Sequence, residues 1–282
     1  MSARTIEQSA VLGLGIIGSR ARAGLAGAGW NVACWNRTPK DLPGETSNPE
    51  DAVRGADVVS IYLKDSPALR DVVGRLDDAV TPGQIVLNHS TVDLETTLWL
   101  DAWCRTRGCR FLDAPFTGSK VAAGSGQLVY YIGGDPSLAA EIDDYLSATS
   151  KSRLFCGPVG AATVIKLTTN LISACTVQAM AEALAITTRH GVPAECLIQA
   201  VAQNVSGSPL AAMKFPTMVA GNFETHFSLA NMGKDARYMV ALAQSAGLET
   251  PAIAAVSRRL AELCDAGLGD LDYSALAKPY VE

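Results

Sequence analysis

The sequence predicts an α/β half built on a doubly wound parallel sheet, followed by an all-α half entered through one long helix. Three observations carry this. Up to about residue 156, short apolar runs alternate with amphipathic segments, a strand–helix–strand succession that implies a parallel sheet with helices on both faces. Glycines at 13, 15 and 18 stand where the first run gives way to a helix, the turn that such sheets use at their first strand. Beyond Gly160 the strand signals stop, and residues 161–189 contain neither glycine nor proline.

The elements follow in order. The runs at 10–14, 31–35, 58–63, 85–87, 111–112, 128–132 and 154–155 are short, several are rich in Val, Ile and Tyr, and each is bounded by Gly, Asp, Pro or Asn, as buried strands are. A helix is predicted from the glycine turn to about residue 28. Another is predicted over 94–106, behind the cap candidates Thr91 and Asp93 with Glu95 close after them. Residues 161–189 are apolar nearly all round and read as one buried helix about 43 Å long at 1.5 Å per residue. Gly191 and Pro193 end it. Further helices are expected at 194–203, 209–220, 228–246 and 251–266. The chain accordingly divides at 160, into a first domain over 1–160 and an all-α domain over 161–282.

Composition excludes several classes. Twenty-five glycines and thirteen prolines among 282 residues are too few, and too scattered, for a collagen-like or low-complexity chain. Net charge is −5, against a nucleic-acid binder working through a broad basic face. Charged residues are 18%, below the usual ~25%, which points to extensive burial and to a subunit interface, a homodimer or tetramer that covers the long apolar helix. The seven cysteines (34, 104, 109, 156, 175, 196 and 264) form no C-x-x-C pair, so reduced, mostly buried thiols in a cytoplasmic chain are expected rather than a disulfide framework. His89, His190 and His226 are the only histidines, none at ligand spacing from another, so no metal site is expected. The first seven residues lack the apolar run of a signal peptide. No run of ~18 uninterrupted apolar residues occurs, so no membrane span is expected.

Three segments carry chemistry. In Gly13-Leu14-Gly15-Ile16-Ile17-Gly18, the first glycine permits a tight turn, the second lets backbone approach a pyrophosphate, and the third allows helix and strand to pack closely, with the helix N-terminus turned to the anion. The strand–turn–helix context makes this a Rossmann-type dinucleotide site rather than an ordinary glycine-rich turn. An NAD site expects Asp or Glu at the end of the second strand, accepting from the ribose 2′-hydroxyl. Asn36, Arg37 and Thr38 stand there instead, and a cation with two hydrogen-bonding side chains suits the 2′-phosphate of NADP(H).

The second segment is the long helix, where Lys166 and Asn170 share a face at i and i+4. A lysine in so apolar a helix is costly to bury unless partnered or useful. Asn170 one turn later, and Gly157-Pro158-Val159-Gly160 ahead, favour a place at the domain cleft over a lysine that snorkels to solvent. The third segment, Asp113-Ala114-Pro115-Phe116-Thr117-Gly118-Ser119, lies beyond the carboxyl end of a strand, where open α/β sheets bind ligands. Thr117 and the amides after it can hold a carboxylate there.

Taken together, these motifs resemble the β-hydroxyacid dehydrogenases related to 3-hydroxyisobutyrate dehydrogenase, and most of all their glyoxylate and succinic semialdehyde reductase branch. The resemblance runs from about residue 10 to residue 275. It comprises G-L-G-I-I-G, with Ile17 where Met is usual; D-A-P-F-T-G-S, with Phe116 and Thr117 where Val and Ser are commoner; G-x-x-G-x-x-x-x-x-K-x-x-x-N from Gly157 through Lys166 to Asn170; and Lys234-Asp235 preceded by Phe227. Thr91, in Ser90-Thr91-Val92, matches the family's cofactor threonine, and Leu63 and Lys64 at the end of the third run complete the expected cofactor set.

The resemblance implies an NADPH-dependent oxidoreductase that reduces a short aldehyde or keto acid to the hydroxy acid. Lys166 would be the general acid. Thr117, Gly118 and Asn170 would hold the small carboxylic-acid substrate, Phe227 and Asp235 would shape its pocket, and Lys234 would reach the cofactor. Phe116 and the methyl of Thr117 put substrate size in question. The chemistry is consistent with this, since the protein's part in a hydride transfer is to orient the carbonyl and supply a proton. The alternatives are an imine reductase of the same architecture, which normally lacks a lysine at the Lys166 position, and a non-catalytic NADPH-binding protein.

Overall fold

The computed structural model describes residues 6–281, so most of the segment read above for a signal peptide lies outside the described residues. It divides into two compact units, Met1–Lys166 and Leu167–Glu282.

The first unit holds one sheet. Its strands are β1 (Gln8–Leu12), β2 (Asn31–Trp35), β3 (Val58–Ile61), β4 (Ile85–Asn88), β5 (Arg110–Asp113), β6 (Phe116–Thr117), β7 (Leu128–Gly134) and β8 (Ser150–Gly157), in the order β2-β1-β3-β4-β5-β7-β6 with β8 also paired to β7. Strands β1 to β5 are parallel throughout. Strands β3 and β4 are buried along their whole length, which is why they read as continuous apolar runs rather than alternating ones. Successive side chains still sort to opposite faces. Leu12, Val59, Ile61 and Val86 join Leu69, Leu76 and Leu100 in one core, while Val11, Val58, Ile85 and Leu87 join Leu25, Leu128 and Leu146 in another.

Helices α1 (Gly18–Gly27), α2 (Pro49–Val53), α3 (Ser66–Gly74), α4 (Leu94–Thr106), α5 (Lys120–Gly124), α6 (Pro136–Glu141) and α7 (Asp143–Ser147) cover the sheet. Side chains cap several of them. Asp65 accepts from the Ala68 amide, and Asp93, not Thr91, accepts from the Thr96 amide at the start of α4.

Four expectations need correction. The first strand stops at Leu12, because Gly13 turns the chain with φ +96°. The sheet is not wholly parallel, since β7 runs antiparallel to both β5 and β6. Strand β6 lies inside the 113–119 segment, where no strand was expected. Strand β8 extends well beyond 154–155, its N-terminal part masked by the exposed, polar Lys151 and Ser152.

The expected long helix is α8 (Ala161–Arg189), and the boundary between the two compact units falls within it, after Lys166. Its first turns are bonded into the first unit: the Thr163 amide and hydroxyl both reach the carboxylate of Asp113. Averaged over 18 residues α8 has mean hydropathy 1.4 and is long and apolar enough to cross a membrane by those measures, although Lys166, Asn170 and Glu182 interrupt it. The uninterrupted-run criterion misses such a helix.

In the second unit α8 is followed by α9 (Ala194–Ala202), α10 (Pro209–Val219), α11 (Leu229–Ser245) and α12 (Pro251–Leu263), close to the predicted bounds. A π turn (Cys264–Leu268), a 3-10 turn (Tyr273–Ala277) and α13 (Lys278–Val281) complete it. Leu167, Ala174, Val177, Met180 and Leu184 of α8 pack into a core with Phe215, Met218, Met232 and Leu260. Ile165, Ile172 and Ile186 of the same helix remain exposed. All seven cysteines are free thiols, but only Cys34, Cys104 and Cys109 are buried and Cys196 is exposed, fewer buried than expected.

Candidate active site

The glycine turn is built by backbone contacts that leave no room for side chains. A Cβ on Gly13 would lie 2.2 Å from the Tyr62 carbonyl oxygen, and one on Gly18 would lie 2.0 Å from the Gly13 carbonyl oxygen. Gly15 is different, since nothing lies within 4 Å of its Cβ position, and it is exposed together with Ile16 at the head of α1. Gly13 and Gly18 therefore serve the turn, and Gly15 leaves open space at a helix start. Leu63 meets Gly13 from the end of β3, its Cδ2 3.2 Å from the Gly13 Cβ position. The Leu63 amide donates to Ser90 Oγ (2.8 Å), which ties it to the stretch carrying the half-buried Thr91. Lys64 is exposed beside it.

At the end of β2, Asn36 turns inward. Its Oδ1 accepts from the Leu14 amide (2.9 Å) and its Nδ2 donates to the Thr38 carbonyl (2.6 Å). Asn36 is thus a brace between the glycine turn and β2, and exposed Arg37 and Thr38 are the residues presented at that strand end.

Asp113 closes β5, and the chain beyond it is tethered at each step. The Ala114 amide donates to the Asn88 carbonyl (2.9 Å), the Tyr131 amide donates to the Pro115 carbonyl (2.8 Å), and Phe116 and Thr117 pair with Tyr130 and Val129. Gly118 adopts φ +135°, and a Cβ there would meet Leu128 Cδ2 at 2.9 Å. Half-buried Lys166 stands in the same unit with its Nζ 5.8 Å from the centre of the Phe116 ring, within reach of a cation–π attraction. The ammonium thus lies over the residue before Thr117. Asn170 follows one turn later on α8.

Beneath this segment lies His89, which the sequence reading left unused. Its Nδ1 donates to the Ala114 carbonyl (2.7 Å), and its ring stacks on Tyr62 with centroids 4.5 Å apart. Burial lowers its pKa to about 4, so the ring is neutral near pH 7 and works as packing and a single donor.

The second unit gathers its own cluster. Asn170 Nδ2 donates to Asp235 Oδ2 (2.7 Å), Lys234 Nζ is 3.0 Å from Asp235 Oδ1, and the same ammonium is 5.2 Å from the centre of the Tyr238 ring. Asp235 is fully buried, and its two oxygens orient Asn170 and hold Lys234. Phe227 is not in this cluster's bonding. It packs edge-on against Tyr273 at 6.0 Å, and its amide donates to Asp272 Oδ2 (3.1 Å). Among the described residues, no group of three or more His, Cys, Asp or Glu gathers as metal ligands would.

Known proteins resemble this chain along most of its length. Residues 8–160 match the family described as the NAD binding domain of 6-phosphogluconate dehydrogenase, and residues 160–280 match that described as the NAD-binding of NADP-dependent 3-hydroxyisobutyrate dehydrogenase. The chain is 30% identical over 275 residues, 94% of its length and 77% of the relative's, to glyoxylate/succinic semialdehyde reductase 2, chloroplastic, of Arabidopsis thaliana. The chain belongs to the β-hydroxyacid dehydrogenase family. Of solved structures, the 3-hydroxyisobutyrate dehydrogenase of Mycobacterium tuberculosis, solved with L-serine, superposes with a TM-score of 0.89 at 25% identity, covering 98% of this chain and 99% of that one. An imine reductase from Pseudomonas sp. shares the fold at TM-score 0.64 and 19% identity, over 99% of this chain and 100% of that one.

As a β-hydroxyacid dehydrogenase, the protein is an oxidoreductase with an NAD(P)-binding domain. The residues present fit that cofactor. The glycine turn offers an open helix start at Gly15, where a pyrophosphate can approach backbone closely. Sequence reasoning missed three of the dehydrogenase's supports: His89, Ser90 as a brace, and the bonding of Asp113 to Thr163. The signal for the last was a carboxylate ending the otherwise apolar stretch Phe111-Leu112.

Proposed function

We propose that the protein is an NADPH-dependent reductase of a short aldehyde or keto acid, such as glyoxylate or succinic semialdehyde, with Lys166 as the proton donor. The observation that carries this reading is the Lys166 ammonium over Phe116, next to the Thr117-Gly118 step, in a chain with the glycine turn of a dinucleotide site. NADPH, when bound, supplies the hydride. Gly13, Leu14, Gly15, Ile16, Ile17 and Gly18, together with Leu63, Lys64, Thr91 and Lys234, would hold it. Thr117, Gly118 and Asn170 bind the substrate carboxylate with neutral donors. Lys166 polarises the carbonyl and gives its proton to the oxygen as the carbon is reduced, and solvent restores the ammonium. The 113–119 segment carries no Arg or Lys to pair with a phosphate, which favours a simple carboxylic acid over a phosphorylated one.

The test is kcat/KM for glyoxylate, succinic semialdehyde, the 3-hydroxyisobutyrate couple, a phosphorylated acid and a cyclic imine, each with both cofactors. The short linear aldehyde acids are expected to lead, because Phe116 and the Thr117 methyl oppose branched chains, and pockets discriminate by about 1–3 kcal/mol per methylene. Best activity on the phosphorylated acid would refute the reading, as would turnover of the imine alone.

The NADPH preference rests on Arg37 and Thr38, with no carboxylate at that strand end to receive a free 2′-hydroxyl. Arg37→Ala is expected to weaken NADPH binding by about 1–3 kcal/mol, the cost of one charge-assisted bond, and to leave NADH nearly unchanged. Equal affinity of the unaltered protein for both cofactors, by fluorescence titration, would remove the assignment. We also propose a cytoplasmic homodimer or tetramer that covers Ile165, Ile172 and Ile186 of α8. Its mass by light scattering is the check.

A further inference from the structure

We propose that the Asp113 carboxylate is a positioning residue: bonded to the first turn of α8, it fixes Lys166 against the Phe116–Gly118 segment and its charge favours the ammonium form. The inference rests on the reading of Lys166 as proton donor.

Asp113 is fully buried. Its Oδ2 accepts from the Thr163 amide (2.8 Å), its Oδ1 accepts from the Thr163 hydroxyl (2.9 Å), and the Gly160 amide also donates to it. It therefore caps α8 from another element, satisfying amides that the helix start leaves unpaired. Asp113 is also the first residue of the segment that carries Phe116 and Thr117. One carboxylate thus joins the two motifs. Thr163 precedes Lys166 by three positions, about 4.5 Å along the helix axis and on the same side.

The joint is stiff. Thr163 Oγ1 lies 2.9 Å from Thr97 Oγ1 of α4. A Cβ on Gly160 would sit 2.6 Å from Leu94 Cδ1, and one on Gly133 would sit 2.9 Å from the Pro158 carbonyl oxygen. Such a packed corner leaves the helix start little room to shift.

A cap by itself needs no charge, because Ser, Thr and Asn serve as well as Asp at far lower desolvation cost. Here burial pushes the carboxyl up to about 6, against the pull of the Thr163 and Gly160 bonds, so the group is ionised at pH 7 at some expense. The charge has a use if it acts on Lys166 through a poorly screened interior. Two further titratable groups near it, a cysteine and a histidine, are uncharged at pH 7. Cys156 of β8 is raised by burial and, less, by Asp113 itself, and His89 beyond β4 is neutral.

The experiment compares the unaltered protein with Asp113→Asn, Thr163→Val and Lys166→Ala. Two quantities are read: kcat and KM on the best substrate, and the acetic anhydride labelling of Lys166 against pH, followed by mass spectrometry. Asp113→Asn is expected to lower kcat by about 10- to 100-fold, as an ångström of misplacement does, with cofactor Kd unchanged. It should also make Lys166 reactive at lower pH. Thr163→Val keeps the charge and loses one bond, so kcat should fall several-fold while the labelling profile stays in place. The proposal is overturned if Asp113→Asn labels as the unaltered protein does, or if its kcat stays within twofold. Should Asp113→Asn fail to fold, an unchanged kcat in Thr163→Val overturns it. Labelling needs no substrate, so the two readings separate: active Lys166→Ala beside a shifted Asp113→Asn profile refutes the proton donor alone.

Discussion

Lys166→Ala is expected to lose about 10²- to 10⁴-fold in kcat, the range that a general acid contributes, while NADPH still binds. The half-buried ammonium over the Phe116 ring belongs to the first unit, where the glycine turn is held by Tyr62, Leu63 and Asn36. Removing the lysine is expected to leave the dinucleotide turn intact, because its glycines are packed against backbone, and to take away the proton. Arginine is no substitute, since its guanidinium does not release a proton in a protein and its planar fork differs in shape from an ammonium. The measurement pairs single-turnover rates with NADPH fluorescence titration. A variant retaining more than a tenth of kcat would assign the proton to another group or to water. A variant that binds no cofactor and melts early would return Lys166 to a structural role.

The parts of this protein written in local sequence were legible, and the parts made by long-range contacts were not. Parallel strands buried on both faces announce themselves as short apolar runs, so β1 to β5 were recognisable, and α8 showed itself by the lack of glycine or proline over its length. Strand β6 was hidden because two residues hydrogen-bonded to β7 carry no period of their own, and β8 because it is largely exposed with polar residues. The site divides the same way. Gly13, Gly15 and Gly18 could be assigned roles from spacing, whereas the Asn36 bond to the Leu14 amide, a contact that spans 22 positions, could not. The engagement of the Asp235 oxygens with Asn170 and Lys234 was likewise not written in spacing. Polar residues near a motif suggest function, and only the fold shows which are already spoken for by the backbone.

The largest loss of stability is expected away from this chemistry, at Asp272. Lys214 Nζ lies 2.6 Å from its Oδ1, with both side chains almost wholly buried and the ammonium 4.5 Å from the centre of the Tyr273 ring. The Ser274 amide donates to the same oxygen, and the His226 and Phe227 amides donate to Oδ2. Asp272→Ala leaves a buried ammonium without its counter-charge and three amides without their acceptor, so a cost of about 3–5 kcal/mol is expected. Lys214→Met should cost less, because the carboxylate keeps its three amide donors and the methionine fills the lysine's space. The two effects should not add, since the double variant removes both charges together. The pH dependence has a definite sign. Burial alone would raise the Asp272 carboxyl, but the Lys214 bond and charge and the Ser274 amide outweigh it and hold the group below its ordinary 3.8. A depressed carboxyl stabilises the fold above its unfolded value, and that contribution disappears as pH falls through the lower folded one. Asp113 works in the opposite direction, since its raised value penalises the fold as pH climbs from 3.8 to about 6. Urea unfolding at pH 7 and again below pH 4 reads both. The gap between the unaltered protein and Asp272→Ala should narrow at the lower pH, and a gap below about 1 kcal/mol at pH 7 would place this pair with the weak surface bridges.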